Sequence, residues 1–250
     1  MNTFEKILSS LRYPRLAMAR FSSKLNFDEL LAMQTLAEGG LLNSIRTVVD
    51  AGAHHGAYAK VLSYSIPHAS VYCFEPVPET FAVLSENIRN YPRIKAFELA
   101  LGSTNQNITM NVSNLDAASS LLLMNDTHKE IWPQSSGGRQ IEVKVQTLDD
   151  FDREHNLEGD LFIKADVQGF ELALLRGASN VLKKTKLVRL ELSYVELYQG
   201  APKFSEVCTF LEASGFRFHS LANDVSATKY QLPLQGDFVF VRCENGKQLD

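Results

Sequence analysis

The chain has 250 residues, of which 45% are apolar and 22% charged, with a formal net charge of −4. That length and apolar content fit one large domain, or one domain with an extension, around a sizeable core. The charge balance argues against nucleic acid as a bulk electrostatic partner, which needs clustered Lys and Arg, and no apolar run approaches the ~20 residues of a transmembrane segment.

The first 44 residues are expected to form a helical N-terminal extension, ahead of a domain over residues 45–250. Phe4, Ile7, Leu8 and Leu11 follow helical spacing, and Leu30, Leu31, Met33, Gln34 and Leu36 follow it more loosely. Pro14 and Ser22-Ser23 punctuate this stretch. The extension reads as a packed accessory helix, a cap over the site, a homodimer contact or a membrane-surface helix. Its basic residues precede no uninterrupted apolar run, so no secretory signal is expected.

Strand-like and helix-like segments then alternate, the mark of a mostly parallel sheet with helices on both faces. Thr47 to Asp50 is the first expected strand, and a helix follows from Tyr58 to Ser65, ended by Pro67. Val71 to Phe74 is the second strand. The next helix starts near Pro78, carries Phe81, Leu84 and Ile88 on one face, and is closed by Pro92. A third strand is expected from Lys95 to Leu101, and alternating strands from Asn107 to Val112 and Ile141 to Val145. Between these two, Asn114 to Arg139 reads as a long polar loop with short helices, a type that often lines sites. The fourth strand is Asp160 to Lys164, a helix starts at Phe170, and the fifth strand is Leu187 to Leu192. A helix from Ser205 to Ser214, with Ser205 as N-cap and Gly215 as stop, precedes strands at Phe216 to Ser220 and Phe238 to Val241.

The segment Val48-Val49-Asp50-Ala51-Gly52-Ala53-His54-His55-Gly56 is an apolar strand ending in an acid, followed by two glycines. A second strand ends in Phe74-Glu75-Pro76, and one turn, one helix and one return strand fit between the two acids. Glycine permits a tight turn and close ligand approach, and a carboxylate at Glu75 suits a ribose diol. The dinucleotide fingerprint is G-x-G-x-x-G, with pyrophosphate at the helix start. This chain reads D-x-G-x-x-x-G, and an acid there suits a cationic ligand with an amino acid end. The pattern resembles motif I of methyltransferases that use S-adenosyl-L-methionine (AdoMet). An ordinary strand-turn-helix of a nucleotide- or sugar-binding α/β protein carries similar glycines.

Further segments make the resemblance specific: Ala100-Leu101-Gly102, Ser119-Ser120-Leu121, V-Q-T-L-D-D-F (145–151), F-I-K-A-D-V-Q-G-F-E-L-A-L-L-R-G-A (162–178), L-E-L (190–192) and Gly236-Asp237-Phe238. In this order and spacing, over about residues 45–242, the chain resembles the FkbM-type methyltransferase family. The resemblance implies a Rossmann-like class I methyltransferase fold: α/β, with a seven-stranded, mostly parallel sheet whose last strand is antiparallel. It implies AdoMet as methyl donor and a hydroxyl of a sugar, glycan or natural product as acceptor. Asp50, Gly52, Ala53 and Gly56 would then form the methionine-side loop and Glu75 would hold the ribose. Pro76 and Val77 would lie by the adenine edge, Ala100 and Leu101 would flank the ring, and Asp166 would face the methyl group or the acceptor. Two positions depart from the family pattern. His54 stands where Asn is frequent, and Gln168 where Glu is frequent in D-x-E-G-x-E; a Gln cannot act as a general base.

A hydroxyl acceptor must lose a proton, and the candidate bases are Asp166, His55 and Glu191 in that order. Each has a plainer role: Asp166 capping the following helix, His55 a turn residue, Glu191 a buried acid paired with Lys164 or Arg189. Glu171 reads equally as a helix-start acid. Ser119 and Ser120 on the long loop, and Tyr194, Tyr198, Gly200 and Pro202 after the fifth strand, are candidate walls of an acceptor pocket. Cys73, Cys208 and Cys243 form no C-x-x-C pair, and the adjacent His54 and His55 have no metal-ligand spacing, so no metal is expected. Reduced cysteines point to a cytoplasmic protein. Two further readings stay open: an NAD- or nucleotide-sugar-binding oxidoreductase or epimerase, which lacks its third Gly and a Tyr-x-x-x-Lys pair here, and a non-catalytic AdoMet-binding protein.

Overall fold

In a computed structural model, residues 12–23, 25–113, 119–135, 137–227 and 232–243 are described. The apolar pattern at Phe4, Ile7, Leu8 and Leu11 lies outside them. Helices α1 (Pro14–Ser23) and α2 (Phe27–Glu38) open the fold. Asn26 caps α2 by accepting from the backbone N–H of Asp28 and Glu29, and Leu30, Met33 and Leu36 form its buried stripe.

Seven strands form the main sheet. In chain order they are β1 (Thr47–Ala51), β2 (Ser70–Phe74), β3 (Ile94–Phe97), β7 (Leu161–Ala165), β8 (Thr185–Ser193), β9 (Phe216–Ala227) and β10 (Leu232–Arg242). Their spatial order is β3-β2-β1-β7-β8-β10-β9. The first five run parallel, and only β10, last in the chain, runs antiparallel to its neighbours β8 and β9. β1 and β7 are buried along their whole length, as expected of central parallel strands covered on both faces.

The expected third strand is divided. Ile94–Phe97 joins the main sheet, whereas Ala100–Leu101 (β4) turns away and pairs with β6 (Gly138–Gln146), which also pairs with β5 (Gln106–Ser113). This three-stranded sheet buries Met110, Val112 and Val143 against Val77. The polar segment before β6 contains the short helix α5 (Asp126–Ile131) and one 3-10 turn (Pro133–Ser135).

Helices cover both faces of the main sheet. On one side, α6 (Leu148–His155), α7 (Glu171–Arg176) and α8 (Phe204–Ala213) enclose Val49, Ala51, Ile163, Val188 and Leu190. On the other, α1, α2, α3 (Ala57–Ser65) and α4 (Pro78–Ile88) enclose Val48, Val71, Phe162, Leu187 and Val239. The N-terminal helices therefore share a core with the β1–α3–β2 unit. The N-cap of α8 is Lys203, not Ser205: α8 starts one residue earlier, and Glu206 accepts from the Lys203 N–H at 2.7 Å. The three cysteines are unpaired. Among the described residues no helix is long and apolar enough to cross a membrane.

Candidate active site

The carboxyl ends of β1, β2 and β7 converge with β4 on a cavity of about 210 Å3. Gly52, Glu75, Pro76, Ala100, Leu101 and Asp166 line it, with Phe74, Met110, Leu121 and Phe170 as its apolar wall. It lies outside the strand ends, where open α/β sheets bind ligands. Gly52 has φ +73° and touches β7 so closely that a Cβ there would lie 1.9 Å from the carbonyl oxygen of Asp166. Glu75 is buried, and its two oxygens accept from the backbone N–H of His54 and of Val77, each at 3.0 Å. Burial pushes its carboxyl up to about 7, against those two hydrogen bonds. The carboxyl is thus fixed in direction at the cavity wall.

Asp50, Ala53 and Gly56 do not line this cavity. Side chains alternate across a strand, so Asp50 shares the face of Val48 and turns from the cavity. It is fully buried and ion-paired with Lys164 at 3.3 Å. Burial raises its pKa, and the Lys164 ammonium pulls it back. Asp50, Lys164 and Arg189 stand in register across β1, β7 and β8. Arg189 completes this buried charged row through Glu29 of α2 at 2.7 Å, Asp237 of β10 at 2.9 Å and the Tyr58 hydroxyl at 2.6 Å. The N-terminal helix α2 is thereby keyed to the sheet by charge as well as by apolar packing. Gly56 starts α3 at φ +80°, and a Cβ there would meet Leu84 of α4 at 2.6 Å.

A second cavity, of about 600 Å3, opens beside the first between the end of β8 and the start of α8. Glu171, Glu191, Tyr194, Tyr198 and Pro202 line it, while Gly200 does not. Gln168 lines both cavities. Its Nε2 donates to Asp166 Oδ1 at 2.6 Å and to Glu191 Oε2 at 2.9 Å, so the structure brings Asp166 and Glu191 together. Glu191 is paired with neither Lys164 nor Arg189; Asp50 engages the first, and Glu29 and Asp237 the second. It accepts instead from two amides, Gln168 and Gln235. Burial, then the carboxylates of Asp166 and Asp237, push it up to about 9.

Asp166 does not cap the following helix. That helix has no side-chain cap; Glu171, its first residue, instead accepts from the N–H of Val167 at 3.1 Å and of Gly169 at 3.3 Å in the loop before it. Burial raises Glu171 to about 7. His55 lines neither cavity. It faces a separate groove with Glu79 and Arg139, and its carbonyl accepts from Asn87. Ser119 lines the first cavity, and its Oγ accepts from the Ser113 N–H. Ser120 is buried and donates to the carbonyl of Gln168 at 2.7 Å. Gln168 and His128 (described below) are absent from the residues that sequence reasoning put forward. The one signal for Gln168 was its departure from the family pattern.

A family model described as "Methyltransferase FkbM domain" matches residues 50–218. The chain is 32% identical over 161 residues to 2-O-methyltransferase NoeI of Sinorhizobium fredii, covering 61% of this chain and 65% of that protein. It is 28% identical over 193 residues to methyltransferase sdnD of Sordaria araneosa, covering 68% and 73%. It is 29% identical over 144 residues to hexuronic acid methyltransferase AglP of Haloferax volcanii, covering 57% and 54%. The matched stretch thus spans just under two thirds of the first relative and about half of the third. With a Rossmann-like class I methyltransferase sheet and a family match over more than half of its length, the chain belongs to the FkbM methyltransferase family.

Proposed function

We propose that this protein is an AdoMet-dependent methyltransferase that acts on a hydroxyl of a sugar, glycan or natural-product acceptor. The observation that carries this reading is the pair of cavities meeting at Gln168, with a held carboxyl, Glu75, in the smaller and a linked carboxyl pair, Asp166 and Glu191, between them. The names of the relatives support a sugar or uronic acid as acceptor.

The residues present fit AdoMet. Glu75 keeps free lone pairs beside its two backbone hydrogen bonds and suits a ribose diol. Gly52 leaves no side chain between β1 and the ligand, and Phe74, Leu101, Met110 and Phe170 provide an apolar slot for a base. Asp50 acts from behind the loop: paired with Lys164, it fixes the end of β1 rather than touching ligand. When bound, AdoMet supplies a methyl group already activated by its sulfonium.

The protein's own task is to orient the acceptor, exclude water and take one proton. Asp166 is partly exposed in the donor cavity, with Oδ1 held by Gln168 and Glu191 hydrogen-bonded beside it, and it is the carboxylate placed to receive the hydroxyl proton. Lys164 Nζ lies 4.0 Å from Oδ2. Glu191, pushed up to about 9, carries a proton at neutral pH and spares the site a second negative charge.

The test is incubation of the full chain with AdoMet tritiated on its methyl group, together with a neutral methyl hexoside, a 6-deoxyhexoside or a hexuronic acid. Label in an alkali-stable product of at least one of them, as an ether requires, is the expected result. Label found only in an alkali-labile ester contradicts O-methylation of a hydroxyl. AdoMet binding without turnover on any of the three favours the non-catalytic reading.

A further inference from the structure

The junction of the two cavities holds a line of polar side chains that proton transfer to Asp166 does not itself require. Gln168 sits at φ +52°, a left-handed conformation uncommon for a residue with a Cβ. Such strain persists only where the surroundings hold it. Ser120 holds the backbone through the Gln168 carbonyl. The side chain is held at both ends: Nε2 serves Asp166 and Glu191, and Oε1 accepts from the Tyr198 hydroxyl at 2.7 Å. Reversing the amide would aim Oε1 at two carboxyl oxygens, so the partners dictate its orientation.

Tyr198 is buried, and burial holds its phenol above the usual range, so it keeps its one proton. That proton goes to Gln168, and the phenol oxygen also lies 3.3 Å from His128 Nε2. His128 is buried on α5, and burial lowers its pKa, so it is neutral with a single N–H. Nδ1 faces Ser135 Oγ at 3.2 Å, and that hydroxyl gives its one proton to the Trp132 carbonyl at 2.7 Å, so Ser135 accepts from the imidazole and holds the ring. Ser135 is fully buried, and its carbonyl accepts from Ser113 Oγ at 2.7 Å.

We propose that Tyr198 and His128 are positioning residues: His128 packs against the Tyr198 phenol, whose hydroxyl fixes the Gln168 amide so that Asp166 and Glu191 each receive one of its N–H groups. This rests on the reading of that pair as the acceptor-side carboxyls, but its test needs no methyl acceptor. The other groups facing the pair are Lys164 beside Asp166, Asp237 in register with Glu191, Gln235 on Glu191 Oε1, and Glu171 at the start of α7.

The experiment is a carboxyl 13C NMR titration of the full chain, labelled at Asp Cγ and Glu Cδ, for wild type, Tyr198→Phe and His128→Leu. Tyr64→Phe, on the exposed side of α3, is the control. Loss of the phenol donor frees the Gln168 amide and removes its hydrogen bond from Glu191, a bond that favours the ionised form of that carboxyl. The apparent titration of Glu191 is therefore expected to move up by about half a unit or more in Tyr198→Phe. His128→Leu is expected to move it the same way by less, and it reads the same line if Tyr198→Phe does not fold. AdoMet affinity is expected to stay within about twofold, since neither residue lines the smaller cavity. Titrations that match wild type in folded variants overturn the proposal. Failure of wild type to bind AdoMet would instead overturn the methyltransferase reading, with the titration still deciding this one.

Discussion

Asp166→Asn is expected to slow methyl transfer by ~100-fold or more, the usual worth of a positioned general base, while AdoMet still binds. The substitution is close to isosteric. Its Oδ1 still accepts from Gln168, so the loop geometry survives, and only the atom that receives the acceptor's proton changes character. Steady-state rates beside a donor titration separate the two effects: a fall in kcat with an unchanged AdoMet Kd is the predicted outcome. Full activity in Asp166→Asn removes it as the base and leaves Glu191, which lines the acceptor-side cavity, as the remaining carboxyl of the pair.

Gly52→Ala is expected to cost about 3 kcal/mol or more, because it combines a disfavoured positive φ with a backbone collision. The added Cβ would lie 1.9 Å from the Asp166 carbonyl oxygen, so β1 and β7 must separate where the donor cavity forms. A drop in melting temperature of roughly 6 °C or more follows for a chain of this size. Gly159→Ala is the matched control: its Cβ would meet nothing within 4 Å, and an effect within about 0.5 kcal/mol is expected. A Gly52→Ala protein as stable as wild type would contradict the close approach of these strands.

The glycines show how far the sequence could be read. Gly52 and Gly56 stand out there as ligand-approach glycines, and Gly52 does line the cavity. Yet each also meets a protein neighbour, Asp166 for one and Leu84 for the other, and no spacing rule names those neighbours. The parallel core was legible because β1, β2 and β7 are short apolar runs between turn signals. The division of the third strand was hidden, since Lys95 to Leu101 reads as one apolar-rich run until β4 finds its partner in β6, more than forty residues on.

Asp50 was legible in a way that its motif position obscures. Alternation along β1 puts it on the face of Val48, opposite Val49 and Ala51, and so away from the donor cavity. Its partner Lys164 holds the matching register on β7, which is a fact of strand pairing and not of sequence distance. Tyr198 and His128 depend on the same kind of information. They come from α5 and from the segment after β8, which pair through Asn125 with Leu197 and Gln199 with Leu123, and that pairing brings them to Gln168.

Calorimetric titration of the full chain with AdoMet at about pH 6 and pH 8, with NAD in parallel, tests the central claim most directly. Glu75, raised to about 7 by burial, is mostly protonated at the lower pH and mostly ionised at the higher. The ionised form accepts best from ribose hydroxyls, so affinity is expected to rise several-fold between them by linkage, and Glu75→Ala to bind ~10-fold or more weakly at pH 8. One-site AdoMet binding with that pH dependence and no heat from NAD is the predicted result. A folded chain that takes NAD and not AdoMet, or binds AdoMet equally well without Glu75, would contradict the account.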